Sequence, residues 1–103
     1  MNKRFRTLDL AIKQYQEIKN LKLKGEIRSQ IERASLSVCL NLSEGNAKLS
    51  KKDKRRFFNI SYASNREVQT LLLIQNQKQL HKQSDLLGAY LYRLQHRLQH
   101  SLQ

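Results

Sequence analysis

Apolar residues recur at steps of three and four along most of the chain, which is the spacing of amphipathic α-helices. The pattern predicts four helices, over about residues 7–19, 26–43, 50–79 and 84–101. Thr7, Ser50 and Ser84 are suited to cap the starts of the first, third and fourth helices, and Gly45 to end the second. Because the predicted connections are short, neighbouring helices should run in opposite directions. The expected fold is therefore all-α, an antiparallel four-helix bundle that forms a single domain over residues 1–103.

Three of these helices each show one apolar stripe, and the stripes define the expected core. The first helix contributes Leu8, Ala11, Ile12, Tyr15 and Ile18. The third contributes Phe57, Ile60, Ser61, Ser64, Val68, Leu71, Leu72 and Gln75, and the fourth Leu87, Tyr90, Leu91, Leu94, Leu98 and Leu102. A stripe of this kind predicts one buried face and one solvent-exposed face for each helix.

The second helix differs because it is apolar on two sides. One stripe comprises Ile27, Ile31, Ala34, Val38 and Leu42, and Leu36 and Leu40 fall on the opposite side. The outer side of a bundle helix normally carries charge, so these two leucines predict contact with another subunit. The alternative is that they are isolated surface leucines, which soluble proteins tolerate. A chain of 103 residues buries only a modest fraction of its surface, which also favours self-association.

The composition supports long helices and a polyanionic partner. Proline is absent and glycine occurs three times, so few residues interrupt a helix. The net charge of +12 opposes folding and assembly through self-repulsion, which a polyanion such as RNA relieves. The longest apolar run, Leu71–Ile74, is too short to cross a membrane, and Met1–Arg6 lacks the apolar stretch of a signal peptide. We expect a cytoplasmic protein that contacts no membrane.

The strongest functional signal is a basic cluster where the third helix begins. It consists of Lys48, Lys51, Lys52, Lys54, Arg55 and Arg56, and with Asp53 included its net charge is +5 within nine residues. Cations at a helix N-terminus oppose the helix dipole, whereas a phosphate group favours both the side chains and the exposed amides. The cluster, extended by Arg66, predicts a nucleic-acid-binding surface that contacts RNA through its backbone and shape. The alternative is a solvated face that only increases solubility.

The other polar residues give no comparable signal. His96 and His100 have an i, i+4 spacing that suits a metal ion, but no Glu or Cys accompanies them as a third ligand. The acidic residues are too few and too scattered for catalysis by paired carboxylates. Cys39 falls within an apolar helix and is expected to be buried rather than reactive. The sequence therefore predicts a non-enzymatic protein with no metal ion and no cofactor.

Three charged residues are candidates for a structural role. Arg33 and Glu44 project from the same side of the second helix, and Glu67 borders the apolar stripe of the third at the depth of core residues. A pair between Arg33 and Glu67 would fix the relative register of these two helices.

Several segments resemble a known bacterial family. Residues 33–38 (R-A-S-L-S-V) and 41–45 (N-L-S-E-G) are similar to the stretch R-A-x-S-I-x-x-N-x-A-E-G. Residues 56–61 (R-F-F-N-I-S), with Ser64 and the E-V-Q-T of 67–70, resemble F-x-x-F-L-x-x-A followed by G-S-x-x-E-L-E-T. These motifs are typical of four-helix bundles encoded in intervening sequences of large-subunit rRNA genes. The resemblance covers Thr7 to about Leu73.

This resemblance also implies partners. The same fold family includes the accessory variability proteins of diversity-generating retroelements, which form basic pentameric barrels and bind a reverse transcriptase and its template RNA. By resemblance, the chain is an RNA-binding homopentamer with Leu36 and Leu40 at its subunit contacts, and it presents template RNA to a reverse transcriptase. Two alternatives stay open: an rRNA intervening-sequence protein with a local role on ribosomal RNA, and a protein-interaction module that binds no nucleic acid.

Overall fold

The structure, a computed structural model, describes the backbone of residues 5–102 and the side chains of residues 5–98. Its helices are α1 (Arg6–Lys19), α2 (Gly25–Ala47), α3 (Lys51–Ile74) and α4 (Lys78–Leu102). Since α1 and α3 each pack against both α2 and α4, the four helices form a ring around a shared core. The prediction of an all-α fold with four helices is confirmed. Over the described residues, no helix has the length and apolar character needed to cross a membrane.

Side-chain contacts between helices establish the direction in which α2, α3 and α4 run. The contacting residues are Ser37 with Ser64 and Arg33 with Glu67 between α2 and α3, and Tyr62 with Tyr92 and Gln69 with Asp85 between α3 and α4. In both pairs of helices, rising residue numbers on one helix meet falling numbers on the other. These neighbours are therefore antiparallel, as short connections require.

The apolar stripe of α2 is the best-predicted part of the core. Its central residues Ile31, Ala34, Val38 and Leu42 are buried, and Ile27 packs against them. In α4, Leu87 and Leu91 are buried as predicted, and in α1 so are Ala11 and Ile18. The exception in α1 is Ile12, which is 40% exposed. Leu102 belongs to the predicted α4 stripe, but its side chain lies outside the described residues.

The starts of α1 and α3 differ in how well the sequence predicts them. α1 begins at Arg6 with Phe5 in the cap position, and Thr7 lies inside the helix with its side chain buried. The prediction that Thr7 caps α1 is wrong, because Thr7 shares the core-facing side of the helix with Ala11. The cap at Ser50 is confirmed, since its side-chain oxygen accepts a hydrogen bond from the Asp53 amide at 3.1 Å.

Gly45 has a packing role in place of the predicted helix-ending role. α2 continues to Ala47, and Gly45 is buried within it. A Cβ atom at Gly45 would lie 2.7 Å from Cε1 of Phe58, which is much closer than carbon atoms pack. The missing side chain therefore lets the Phe58 ring lie directly against the α2 backbone where α3 begins.

The boundary between α3 and α4 is also displaced from its predicted position. α3 ends at Ile74, well before residue 79, and α4 begins at Lys78 instead of Ser84. The turn between them contains Asn76 with a φ of 55°, a left-handed conformation that asparagine tolerates better than most residues. Leu80 and Ser84 are both buried within α4. The predicted polar connection over residues 80–83 and the cap at Ser84 are wrong, because this turn contains neither glycine nor proline to mark it.

The buried face of α3 is rotated relative to the predicted stripe. Phe58 is buried, whereas Phe57 is half-buried and Ile60 is 40% exposed. The polar residues Asn65 and Gln69 are also buried. Because Asn65 and Gln69 are buried, the centre of the core-facing side of α3 lies closer to α4 than predicted. A pattern of apolar residues does not show this shift, since both residues are polar.

A hydrogen-bonded cluster of polar side chains lies in the core around Asn65. The Asn65 Oδ1 atom accepts from Gln14 Nε2 at 3.1 Å and from the Ser84 hydroxyl at 3.3 Å, and its Nδ2 atom donates to Ser84 O at 3.1 Å. Gln14 lies on α1, diagonally across the ring from α3, so this bond crosses the middle of the bundle. An unpaired buried polar group costs about 1–3 kcal/mol. Gln14 Oε1, by contrast, is buried without a partner among the described residues. The cluster therefore favours a register of α1, α3 and α4 in which Gln14 Nε2, the Asn65 amide and the Ser84 hydroxyl are paired.

Replacing Asn65 by Leu should lower the free energy of unfolding by about 2–4 kcal/mol, because Gln14 and Ser84 would lose partners inside the core. Urea denaturation followed by circular dichroism measures this loss. The control is Asn59→Leu, the same change at an exposed position of α3, for which we expect a change within about 0.5 kcal/mol. Equal stability of the two variants would contradict the role assigned to the cluster.

Candidate nucleic-acid interface

Cations extend along one outward side of α3. Lys52, Arg55 and Asn59 recur at steps of three and four, and with Arg56 they line a shallow depression of about 230 Å³. Arg66 lies eleven residues after Arg55, about 16 Å further along the same side of the helix. We refer to Lys52, Arg55, Arg56 and Arg66 as the basic band of α3.

The acidic residues do not neutralise this basic band. The ion pairs between described side chains join Lys19 and Arg28 to Glu32, Arg33 to Glu67, and Lys48 to Glu44. None of these pairs includes a residue of the basic band, and the four side chains of the band are exposed. Arg66 donates a hydrogen bond to Gln69 Oε1 at 3.5 Å, which is a neutral partner. The band therefore presents its positive charge to solvent.

Two of the predicted binding residues make cation–π contacts with the ring of Phe57. Lys48 Nζ lies 5.1 Å and the Arg56 guanidinium 5.2 Å from the ring centroid. Cation–π contacts at such exposed positions contribute about 0.5–1 kcal/mol each. Lys48 also pairs with Glu44 at 3.3 Å, so its charge is partly compensated while that of Arg56 is not.

Lys54 has a structural position within the predicted cluster. Its Nζ atom donates to Gly45 O at 3.3 Å and to Asn46 O at 3.0 Å. The last carbonyl groups of a helix lack partners within that helix, and a lysine near them is also favoured by the helix dipole. The Lys54 ammonium group is therefore engaged by the end of α2, and its contact with RNA stays a prediction.

A second depression lies further along α3, where the helix faces α4. Its volume is about 340 Å³, and its lining includes Tyr62, Arg66, Gly88, Ala89, Tyr92 and Arg93. One end is polar, since Gln69 Nε2 donates to Asp85 Oδ1 at 2.8 Å. We call this depression the α3–α4 cleft. It adds arginine and tyrosine side chains of α4 to the surface that begins with the basic band.

Aromatic rings follow one another along this part of α4. The centroids of Tyr62 and Tyr92 lie 6.4 Å apart with an interplanar angle of 56°, and those of Tyr92 and His96 lie 5.7 Å apart at 13°. Arg93 lies over the ring of Tyr90 at 4.9 Å. The surface therefore combines cations with half-exposed rings, the two kinds of side chain that contact nucleic-acid strands.

Sequence reasoning missed the contribution of α4 to this surface. Ala89, Tyr92, Arg93 and His96 recur at steps of three and four, so periodicity places them on neighbouring parts of one helix side. It does not show that this side faces Tyr62, because the register of α3 and α4 depends on the turn at residues 75–77. The apolar pattern predicts a helix over residues 50–79, so it does not show a turn at this position.

The outer surface formed by α2 and α3 carries the other predicted residues. Arg33 Nη2 lies 3.5 Å from Glu67 Oε2, and the two side chains are 70% and 43% exposed. The pair is thus at the surface and not at core depth as predicted, and such exposed pairs contribute about 0–1 kcal/mol. Leu36 and Leu40 on the same helix are 39% and 57% exposed.

The structure also places the residues considered for other chemistry. Burial raises the pKa of the Cys39 thiol to about 11, so little reactive thiolate forms at neutral pH. His96 stacks on Tyr92, and the side chain of His100 lies outside the described residues. Among the side chains that are described, no three His, Cys, Asp or Glu residues lie close enough together to hold a metal ion.

Comparison with known proteins identifies a family match that covers most of the chain. Residues 4–99 match the model of the family described as 23S rRNA-intervening sequence protein. Neither a curated protein nor a solved structure matches the chain significantly.

Replacing Lys54 by Gln should lower the free energy of unfolding by about 0.5–1 kcal/mol, since the end of α2 loses a cationic partner. Thermal unfolding measures this change. The matched variant is Lys51→Gln, which removes the same charge from an exposed position of α3, and its stability should stay close to that of the parent protein. If Lys51→Gln destabilised the protein as much as Lys54→Gln, the loss would come from general charge effects and not from the hydrogen bonds of Lys54.

Proposed function

The chain belongs to the family of 23S rRNA-intervening sequence proteins, and we propose that it is a non-enzymatic RNA-binding scaffold. Its RNA contacts lie on the basic band of α3. The observation that carries the proposal is that these four cations are exposed and unpaired with acids among the described side chains, on a chain with a net charge of +12.

The chemistry of the band favours contact with phosphate groups. Arg55, Arg56 and Arg66 carry guanidinium groups, whose forked donors match the oxygens of a phosphate. Because the cations follow the helix axis, several of them can contact successive phosphates of one strand. Each phosphate that is neutralised releases counterions, so the affinity for RNA is high in dilute salt and falls as the salt concentration rises. Contacts of this type recognise the shape and charge of RNA more than its base sequence.

The family description gives the chain an association with ribosomal RNA. It names the intervening sequence of 23S rRNA, and we propose that the chain binds RNA of that origin. The expectation that the chain presents template RNA to a reverse transcriptase stays a prediction from resemblance. Binding to 23S intervening-sequence RNA, compared with retroelement template RNA of equal length, distinguishes the two.

Replacing the four cations of the basic band, Lys52, Arg55, Arg56 and Arg66, by Gln should weaken RNA binding by about tenfold or more and reduce the slope of log affinity against log salt by about 3. Fluorescence anisotropy over a series of KCl concentrations measures both quantities. The control replaces Lys13, Lys22, Lys24 and Lys78, four exposed cations elsewhere on the bundle, and removes the same charge. A loss of similar size in both variants would show that total charge matters and that the basic band is not the site.

Copies of the chain associate, in this proposal, through the outer surface of α2. Leu36 and Leu40 are exposed on α2, and Ile60 on the neighbouring helix is 40% exposed. Ile60 precedes Ser61, whose hydroxyl donates to Val38 O, so this third apolar side chain belongs to the same region. Burying apolar surface of this kind contributes about 25 cal/mol per Å². The pentamer implied by the family resemblance stays a prediction.

Replacing Leu36 and Leu40 by Asp should dissociate the oligomer, because two charges would then be buried without partners in the subunit contact. Light scattering coupled to size-exclusion chromatography gives the mass of each species. The control, Leu49→Asp with Leu73→Asp, makes the same charge change at exposed leucines outside this surface. A parent protein that is monomeric, or a double variant of unchanged mass, would contradict the proposed contact.

A further inference from the structure

The α3–α4 cleft differs in chemistry from the depression beside Lys52. The depression is lined by three cations and an asparagine, so it suits phosphate groups. The cleft has an aromatic wall, a floor of small residues and one acidic end. Its volume of about 340 Å³ lies within the range of small-molecule binding sites.

The floor of the cleft is open because small residues lie there. A Cβ atom at Gly88 would lie 3.3 Å from Gln69 Nε2, so α4 approaches α3 closely at this point. The next residue, Ala89, is exposed and also lines the cleft. A larger residue at position 89 would fill the space between the helices.

The wall of the cleft offers a stacking surface. Tyr92 is 53% exposed, although it contacts the rings of both Tyr62 and His96. Nucleic-acid bases stack on such rings, and one stacked base strengthens binding by about tenfold. A base that is paired within a duplex cannot reach the ring, because both of its faces are already stacked and its edge is engaged.

The charges around the cleft indicate which part of a nucleotide each end accepts. Arg93 lies about two turns of α4 away from Asp85 and supplies a cation for a phosphate group. Arg66 lies nearer the polar end, where it donates to Gln69 Oε1. Asp85, at the end that contains Gln69, is a carboxylate and repels phosphate. The same carboxylate accepts hydrogen bonds from the amino or ring N–H groups of a base. A nucleotide thus fits with its base towards Asp85 and its phosphate at Arg93.

We propose that the α3–α4 cleft binds one unpaired nucleotide of an RNA strand, whose base stacks on Tyr92 and whose flanking phosphates continue along the basic band of α3. This inference rests on the proposed RNA-binding function and adds to it the class of RNA. The chain selects a helix that carries a bulge or loop over a helix that is fully paired. The basic band attracts RNA through the charge and shape of its phosphate backbone, and the cleft binds only a base that is unpaired.

The test uses two RNA hairpins with the same stem, one with a bulge of three adenines and one with those adenines paired. The parent protein should bind the bulged hairpin about tenfold more tightly. A 2-aminopurine in the bulge should lose fluorescence on binding, since stacking on a ring quenches it. Adenosine monophosphate should compete only at far higher concentration, because it lacks the neighbouring phosphates. Competition at the concentration of the hairpin would overturn the assignment to an RNA strand.

Variants locate the effect in the cleft. Ala89→Leu fills the floor without changing charge and should remove the preference while leaving affinity for the paired hairpin within twofold. Ala47→Leu, the same change at an exposed position at the end of α2, should keep the preference. Tyr92→Phe should also keep it and Tyr92→Leu should lose it, which tests the cleft even if Ala89→Leu does not fold.

The outcomes separate this inference from the function on which it rests. Equal binding of the two hairpins by the parent protein, or a preference that survives both Ala89→Leu and Tyr92→Leu, would overturn the cleft assignment and leave RNA binding intact. Binding of neither hairpin in dilute salt would overturn the proposed function as well.

Discussion

The amide of Asn65 lies inside the bundle and bonds to Gln14 on α1 and to Ser84 on α4. Apolar side chains alone tolerate small shifts of one helix along another, whereas a buried amide must keep its partners. Because the bonds of Asn65 fix the relative register of α3 and α4, they also fix which residues of the two helices face each other further along. Tyr62 meets Tyr92 one turn from this cluster, and Gln69 meets Asp85 on its other side. The candidate site on α3 and α4 therefore depends on hydrogen bonds that are hidden from solvent.

The distribution of charge sets the second constraint. The chain has eight acidic residues against twenty Lys and Arg, and acids of α2 and α3 engage Lys19, Arg28, Arg33 and Lys48. The cations of the basic band face solvent, where repulsion between them is screened by salt. The fold tolerates these charges because the side chains stay exposed. The N-terminus of α3 is also capped, since the Ser50 side chain accepts a hydrogen bond from the Asp53 amide. A bound phosphate chain would remove the remaining repulsion.

Periodicity predicts the fold class and the elements that depend on local pattern. The stripe of α2, the Ser50 cap and the burial of Cys39 are predicted because each follows from neighbouring residues. The turn after Ile74 is missed because Asn76 alone adopts the left-handed conformation there. The packing of Gly45 on Phe58 and the bonds of Lys54 to α2 join residues on different helices, so no local pattern contains them. The same reason explains the candidate site, in which the α3 cations are predicted and Tyr92 and Arg93 are not.

We propose that RNA lies along α3 and over the cleft that α3 forms with α4. Photocross-linking of the parent protein to RNA that contains 4-thiouridine, followed by mass spectrometry of the linked peptides, tests this placement without any substitution. We expect cross-links within residues 51–66 and 89–96, with Tyr62 or Tyr92 among the linked residues. Cross-links that fall mainly on α1 or on the outer surface of α2 would contradict it.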